Sequence, residues 1–173
     1  MALHFVRSLH YRRFFQARWL ALGLLCTSAM AQAPTMMACP TALQVQAPQL
    51  HGLWSVQVVN PPRGLPAEAS LLLERHAEFS ESLAGVISRD LSSAPAGQVA
   101  GHASKAFLAG DLEEGVVTLD ESSNGSNLTG TWNGAMVENS CGKQIKGVWQ
   151  DTSSSAPPDA PTVPFTLTRR ASW

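Results

Sequence analysis

One five-residue pattern recurs along the chain: a large apolar residue, any residue, glycine, any residue, and a second large apolar residue. Its five occurrences are Leu50–Trp54, Leu83–Ile87, Leu108–Leu112, Leu128–Trp132 and Ile145–Trp149. Because alternate residues of a strand face the same side, each occurrence places glycine between two bulky side chains on one face. Glycine there is typical of a sheet that bends sharply or that another chain approaches closely. The pattern therefore predicts strands that curl around a shared apolar interior.

Further strand candidates lie between these occurrences, bounded by turn residues. They are Ser70–Glu74, Val116–Asp120 and Val163–Arg169. Asn124-Gly125 is a strong signal for a hairpin between two strands. No segment has a convincing amphipathic helix pattern. The sequence predicts an all-β domain, a single small antiparallel up-and-down barrel of about eight strands, with a β-sandwich as the alternative.

The chain begins with the features of a secretory signal peptide. Arginines without any acid precede the apolar run Trp19–Met30, and Ala29-Met30-Ala31 supplies a small-x-small cleavage site. This run is shorter than the roughly 20 apolar residues that span a bilayer. We predict cleavage after Ala31. The predicted organisation is a signal peptide over residues 1–31, an N-terminal arm over residues 32–48 and a barrel domain over residues 49–173.

The export signal is of the bacterial type and predicts a periplasmic or secreted protein. Arg12-Arg13 makes the twin-arginine route an alternative to the general secretory route, and lipidation at Cys39 is a further alternative. After removal of residues 1–31, the remaining cysteines are Cys39 and Cys141. A pair in an oxidising compartment predicts a disulfide, whose loop of about 100 residues contributes about 4–5 kcal/mol in the chain-entropy model.

Charge and motif content narrow the range of functions. The exported part carries 8 basic residues against 13 acids, a net charge of −5, which excludes a basic footprint for nucleic acid or anionic lipid. No catalytic signature or metal-ligand spacing is present, so we predict a protein without enzymatic activity, cofactor or metal. The exported part has no tyrosine for an aromatic girdle, so we predict no membrane insertion. No pattern assigns an oligomeric state.

A family resemblance rests on the two ends of the predicted sheet. Gly52-Leu53-Trp54 opens the first strand and Arg169 or Arg170 ends the last, as in lipocalins, and Leu128–Trp132 is similar to an avidin strand. The chain therefore resembles the calycin group of small barrels. The resemblance implies that Trp54 and Arg169 form a structural pair that closes one end, with a cation–π contact of about 0.5–2 kcal/mol. The tyrosine of the avidin biotin site has no counterpart here.

Two functions of different classes fit these features. The first is a non-catalytic protein that binds a small apolar ligand, with inward glycines leaving room and tryptophans lining a cavity. The cavity candidates are Trp132, Trp149, Leu128 and Ile145. Tryptophans that only fill the core are the alternative. The second function is an envelope interaction module such as a protease inhibitor, whose arm (residues 32–48) inserts into a partner protein. An enzyme is less favoured.

Overall fold

The computed structural model describes residues 39–62, 65–90 and 104–171, and the predicted signal peptide (residues 1–31) lies outside them. Within these ranges, no helix has the length and apolar character needed to cross a membrane. The elements of the described chain are a 3₁₀ helix (Ala42–Gln44), α1 (Ala47–Leu50), β1 (Gly52–Val58), β2 (Glu68–Arg75), β3 (Leu83–Arg89), β4 (Lys105–Glu113), β5 (Val116–Ser122), β6 (Leu128–Met136), β7 (Gln144–Asp151) and β8 (Val163–Arg169).

The strands form a closed barrel in chain order, and every neighbouring pair is antiparallel. β1 pairs with β2 on one side and with β8 on the other, where Val58 lies opposite Phe165. This closure excludes the β-sandwich and confirms the predicted up-and-down barrel. The last strand candidate, Val163–Arg169, has the bounds that the sequence predicts.

The five glycines of the recurring pattern all lie in strands. At Gly110 and Gly147, an added Cβ atom would collide with a backbone carbonyl of the neighbouring strand. The strands approach closely there, as the curvature of a small barrel requires. At Gly130, the indole ring of Trp149 occupies the space that a side chain would take. These three positions therefore do not provide the room for a ligand that the sequence suggested.

One end of the barrel is covered by the segment that precedes β1. We call it the arm end, because Val45, Ala47 and Leu50 of this segment are buried in the same core cluster as Trp54. The predicted disulfide is confirmed: Cys39 is bonded to Cys141 across a sequence separation of 102 residues. It joins the arm to the connection between β6 and β7, so the arm is part of the folded barrel from residue 39 onward.

We call the opposite end the loop end: β1, β3, β5 and β7 end there, and the described residues of its connections are 59–62, 65–67, 90, 104, 123–127 and 152–162. The arm end has the connections 76–82, 114–115 and 137–143. The described part of the arm lies at the other end, and Leu65 of the loop end is itself buried in the core cluster; since loops carry function in many folds, a functional site is best sought here.

Candidate functional site

The arm end is closed by hydrogen bonds as well as by apolar packing. The last carbonyls of a helix have no partner within the helix. In the single turn of α1 and its C-cap, these are the carbonyls of Gln49, Leu50 and His51. Arg169 donates to the Gln49 carbonyl at 2.5 Å and to the His51 carbonyl at 2.6 Å. Trp54 Nε1 donates to the Leu50 carbonyl at 2.8 Å. Trp54 and Arg169 lie directly opposite each other in the sheet, and together they hold α1 in place.

Three of the four predicted cavity residues lie inside the barrel. Trp132, Trp149 and Ile145 are buried. The Trp132 ring lies 6.3 Å from that of Trp149 and 4.9 Å from that of Phe165, centroid to centroid. Leu128 does not join them: it is 48% exposed, because the register between β5 and β6 shifts just after it, between Leu128 and Gly130. The aromatic side chains fill the middle of the barrel, so a ligand has to approach from the loop end.

Two charged side chains are buried inside the loop end. Arg89 is 5% exposed and Glu121 is 2% exposed, and they are the buried charged residues of the described ranges. They lie at the ends of β3 and β5, on either side of β4. Arg89 Nη2 donates to Glu121 Oε2 at 2.6 Å. Trp132 Nε1 donates to the same oxygen at 3.0 Å, so the ion pair and the indole form one network.

One donor group of this network has no acceptor. Arg89 Nη1 is buried and makes no hydrogen bond. Buried polar groups in folded proteins are nearly always paired, and a guanidinium group has five N–H donors to satisfy. An unpaired buried donor therefore indicates a position where a water or another molecule binds. We define the loop-end site as Arg89, Glu121 and Trp132.

Small side chains adjoin the loop-end site. Ala69 lies directly opposite Arg89 on β2, and the strand between Arg89 and Glu121 carries the buried Ala106. Gly130 lies directly opposite Glu121 on β6. The short side chains of Ala69 and Ala106 allow the long Arg89 side chain to lie inside a narrow barrel, since interiors are close-packed, while the space at Gly130 is taken by the Trp149 indole. The site therefore combines a charged pair with apolar walls.

Outside the loop-end site, His76 of the cluster Glu74–Glu78 has a structural role. His76 Nδ1 accepts the backbone N–H groups of Glu78 at 3.2 Å and Phe79 at 3.3 Å, which fixes the turn between β2 and β3. Across the part of the chain that the structure describes, no group of His, Cys, Asp or Glu side chains is arranged to hold a metal ion. Among the described residues, the loop-end site is the buried charged pair that has an unpartnered donor; His51 Nε2 and Ser140 Oγ at the arm end are also buried without a partner.

Neither Arg89 nor Glu121 is among the site residues predicted from the sequence, although the pattern that places them inside is present. The second occurrence of the recurring pattern ends at Ile87, and two residues further on the same face lies Arg89. Glu121 lies two residues beyond Leu119, on the inner face of β5. Continuing the two-residue period to the end of each strand would have placed one base and one acid inside the barrel.

Comparisons with known proteins add little to this geometry. No family model matches the chain, and no curated protein matches it. Among solved structures, a redesigned β-barrel is similar, with 14% sequence identity, a TM-score of 0.43, and coverage of 72% of this chain and 95% of that chain. The closed antiparallel barrel is consistent in outline with the calycin resemblance. The comparisons support no finer feature of that group in this chain.

Proposed function

We propose that this protein is an exported, non-catalytic barrel that binds a small, largely apolar ligand at the loop-end site. The observation that supports the proposal is the buried Arg89 Nη1 group without a hydrogen-bond partner. Leaving such a donor unsatisfied costs about 1–3 kcal/mol. An acceptor atom of a ligand removes this cost, and the Trp132 indole beside it offers apolar ring surface.

Export is supported by the covalent structure. The Cys39–Cys141 bond is typical of proteins that fold outside the cytoplasm. The basic and apolar composition of residues 1–31, with its cleavage site at Ala31, agrees with this location. We therefore propose a periplasmic or secreted protein.

The alternative function, an interaction module that inserts residues 32–48 into a partner, has weaker support. Val45 and Ala47 of this segment are buried in the barrel core, and Cys39 is tied to Cys141. Insertion of residues 39–48 into a partner would expose these side chains to water. Deletion of the segment would also remove core residues and one cysteine, so it would test stability together with partner capture. We therefore place ligand binding first.

Native mass spectrometry of the purified chain tests the proposal. We expect a small molecule of defined mass to co-purify with the protein. The double variant Arg89→Met with Glu121→Leu should lose it, because the variant removes the polar network and retains apolar side chains. Arg170→Met is the matched control, since Arg170 bonds Ser55 and Ser70 on the outer surface and the bound mass should be retained. A wild-type protein that is free of any bound molecule would contradict the proposal.

A further inference from the structure

We infer that the ligand is electrically neutral and presents a hydrogen-bond acceptor, such as a carbonyl oxygen, to Arg89 Nη1. This inference rests on the proposed ligand binding at the loop-end site and names the chemical class of that ligand. It sets the site apart from one that binds a carboxylate, the usual partner of a free arginine side chain.

The first step is the charge of the site. The Arg89 and Glu121 side chains are 1% and 2% exposed and form an ion pair at 2.6 Å, so the buried positive charge is already balanced. A carboxylate ligand would bring a second negative charge close to Glu121, with a single cation between the two. Charges removed from water need a partner each, and a like charge nearby is unfavourable. A neutral ligand leaves the charge balance intact.

The second step is the geometry of the donors. Glu121 Oε2 accepts from both Arg89 Nη2 and Trp132 Nε1, whereas Arg89 Nη1 has no acceptor. The N–H groups of a guanidinium lie in its plane in a fixed arrangement. The two N–H groups of Nη1 therefore define two directions in the guanidinium plane, and an acceptor atom has to lie along one of them. A ligand with a single, well-placed oxygen meets this requirement.

The third step is the surface around the donors. The neighbouring inner residues at the loop end are apolar, and Val58, Ala106 and Val163 are all buried there. Apolar walls favour an apolar ligand body, since removal of apolar surface from water contributes about 25 cal/mol per Å². The ligand class that follows is a small apolar molecule with one neutral acceptor.

Two probes of the same shape and different charge test the inference. Para-ethylacetophenone carries a ketone where para-ethylbenzoate carries a carboxylate, and both are titrated into the purified chain at neutral pH. Binding is followed by calorimetry and by the indole N–H signal of Trp132 in a proton–nitrogen correlation spectrum. We expect the ketone to bind about tenfold more tightly than the carboxylate, and to shift the Trp132 signal.

The variant Glu121→Gln changes the net charge of the site from neutral to positive. It removes the negative charge and keeps an oxygen acceptor for Arg89, so the positive charge loses its balance. We expect this variant to prefer the carboxylate over the ketone. Glu113→Gln is the matched control, because Glu113 is exposed at the end of β4 and its removal should leave the preference for the ketone unchanged. Should Glu121→Gln fail to fold, the wild-type ranking of the two probes decides alone.

The outcomes separate this inference from the proposed function. Equal or tighter binding of the carboxylate by the wild type overturns the inference and leaves ligand binding at the loop end standing. Persistence of the ketone preference in Glu121→Gln also overturns it, because charge balance would then not set the ranking. Binding of neither probe overturns both proposals and leaves Arg89 Nη1 to an internal water molecule.

Discussion

At the arm end, Val45, Ala47 and Leu50 extend the apolar core across the mouth of the barrel, and the carbonyls that follow α1 accept side-chain hydrogen bonds, while His51 Nε2 and Ser140 Oγ are buried without a partner. At the loop end, the inner face instead carries the charged side chains of Arg89 and Glu121, with one donor group unsatisfied. The two ends therefore differ in buried charge. The arm end is closed by apolar side chains and hydrogen bonds to carbonyls, whereas the loop end buries an ion pair inside the barrel.

Under the proposed function, this difference would separate the residues that stabilise the barrel from those that bind the ligand. A buried ion pair is weak support for stability, because removing two charges from water costs about as much as their attraction returns. Apolar side chains at positions 89 and 121 would fill the same space without that cost. The presence of Arg89 and Glu121 there is explained more readily by recognition of a ligand than by the stability of the barrel.

The largest expected effect comes from breaking the ion pair on one side. Arg89→Met leaves the Glu121 carboxylate buried with only Trp132 as a donor, and it should destabilise the fold by about 3–5 kcal/mol. The double variant Arg89→Met with Glu121→Leu should recover most of this loss, because no charge remains buried. Urea unfolding followed by tryptophan fluorescence measures both. A double variant as unstable as the single one would mean that the loop end is needed for stability after all.

The next effect concerns the arm end. Replacing Cys39 and Cys141 by serine removes a cross-link over 102 residues and should lower the free energy of unfolding by about 2–4 kcal/mol. The affinity for para-ethylacetophenone should not change, because the disulfide lies at the opposite end from Arg89. Unfolding under oxidising conditions and calorimetry with the ketone test the two statements. A change in affinity with unchanged stability would reverse the assignment of the two ends.

The fold was largely predictable because it depends on short-range patterns. Glycine between bulky residues, strict alternation as in Val163–Arg169, and turn signals such as Asn124-Gly125 each act within one strand or hairpin. The disulfide followed from counting cysteines in a chain that is predicted to be exported. Both predictions are confirmed, since neither required knowledge of how distant strands align.

The candidate site was less predictable because it depends on register. Arg89 and Glu121 are 32 residues apart and meet only because β3, β4 and β5 pair in one alignment. Leu128 was placed inside on alternation alone, but the bulge in β6 interrupts that alternation. The packing of Val45 against the core is likewise a long-range contact that no local pattern encodes.

A smaller effect tests how the arm end is held. Arg169→Met removes the donors to the Gln49 and His51 carbonyls and should cost about 1–3 kcal/mol, because both carbonyls end a helix turn that packs on the core. Arg170→Met is the matched control: its side chain is exposed, and its loss should change stability by at most about 0.5 kcal/mol. Chemical unfolding of both variants gives the comparison. Equal effects would show that the hydrogen bonds to the arm contribute nothing specific.

The smallest effect compares the two ends by the same substitution. Trp54→Phe and Trp132→Phe each remove one indole N–H group, whose acceptor is the Leu50 carbonyl at the arm end and the Glu121 carboxylate at the loop end. A hydrogen bond to a charged acceptor contributes about 1.5–3 kcal/mol, against about 0.5–1.5 kcal/mol for a neutral one. The loss of ring volume is common to both variants, so Trp132→Phe should be the more destabilising by about 1 kcal/mol. Urea unfolding gives the order of the two variants. The opposite order would mean that Arg89 alone satisfies the Glu121 carboxylate, and that Trp132 contributes to ligand binding rather than to this hydrogen-bond network.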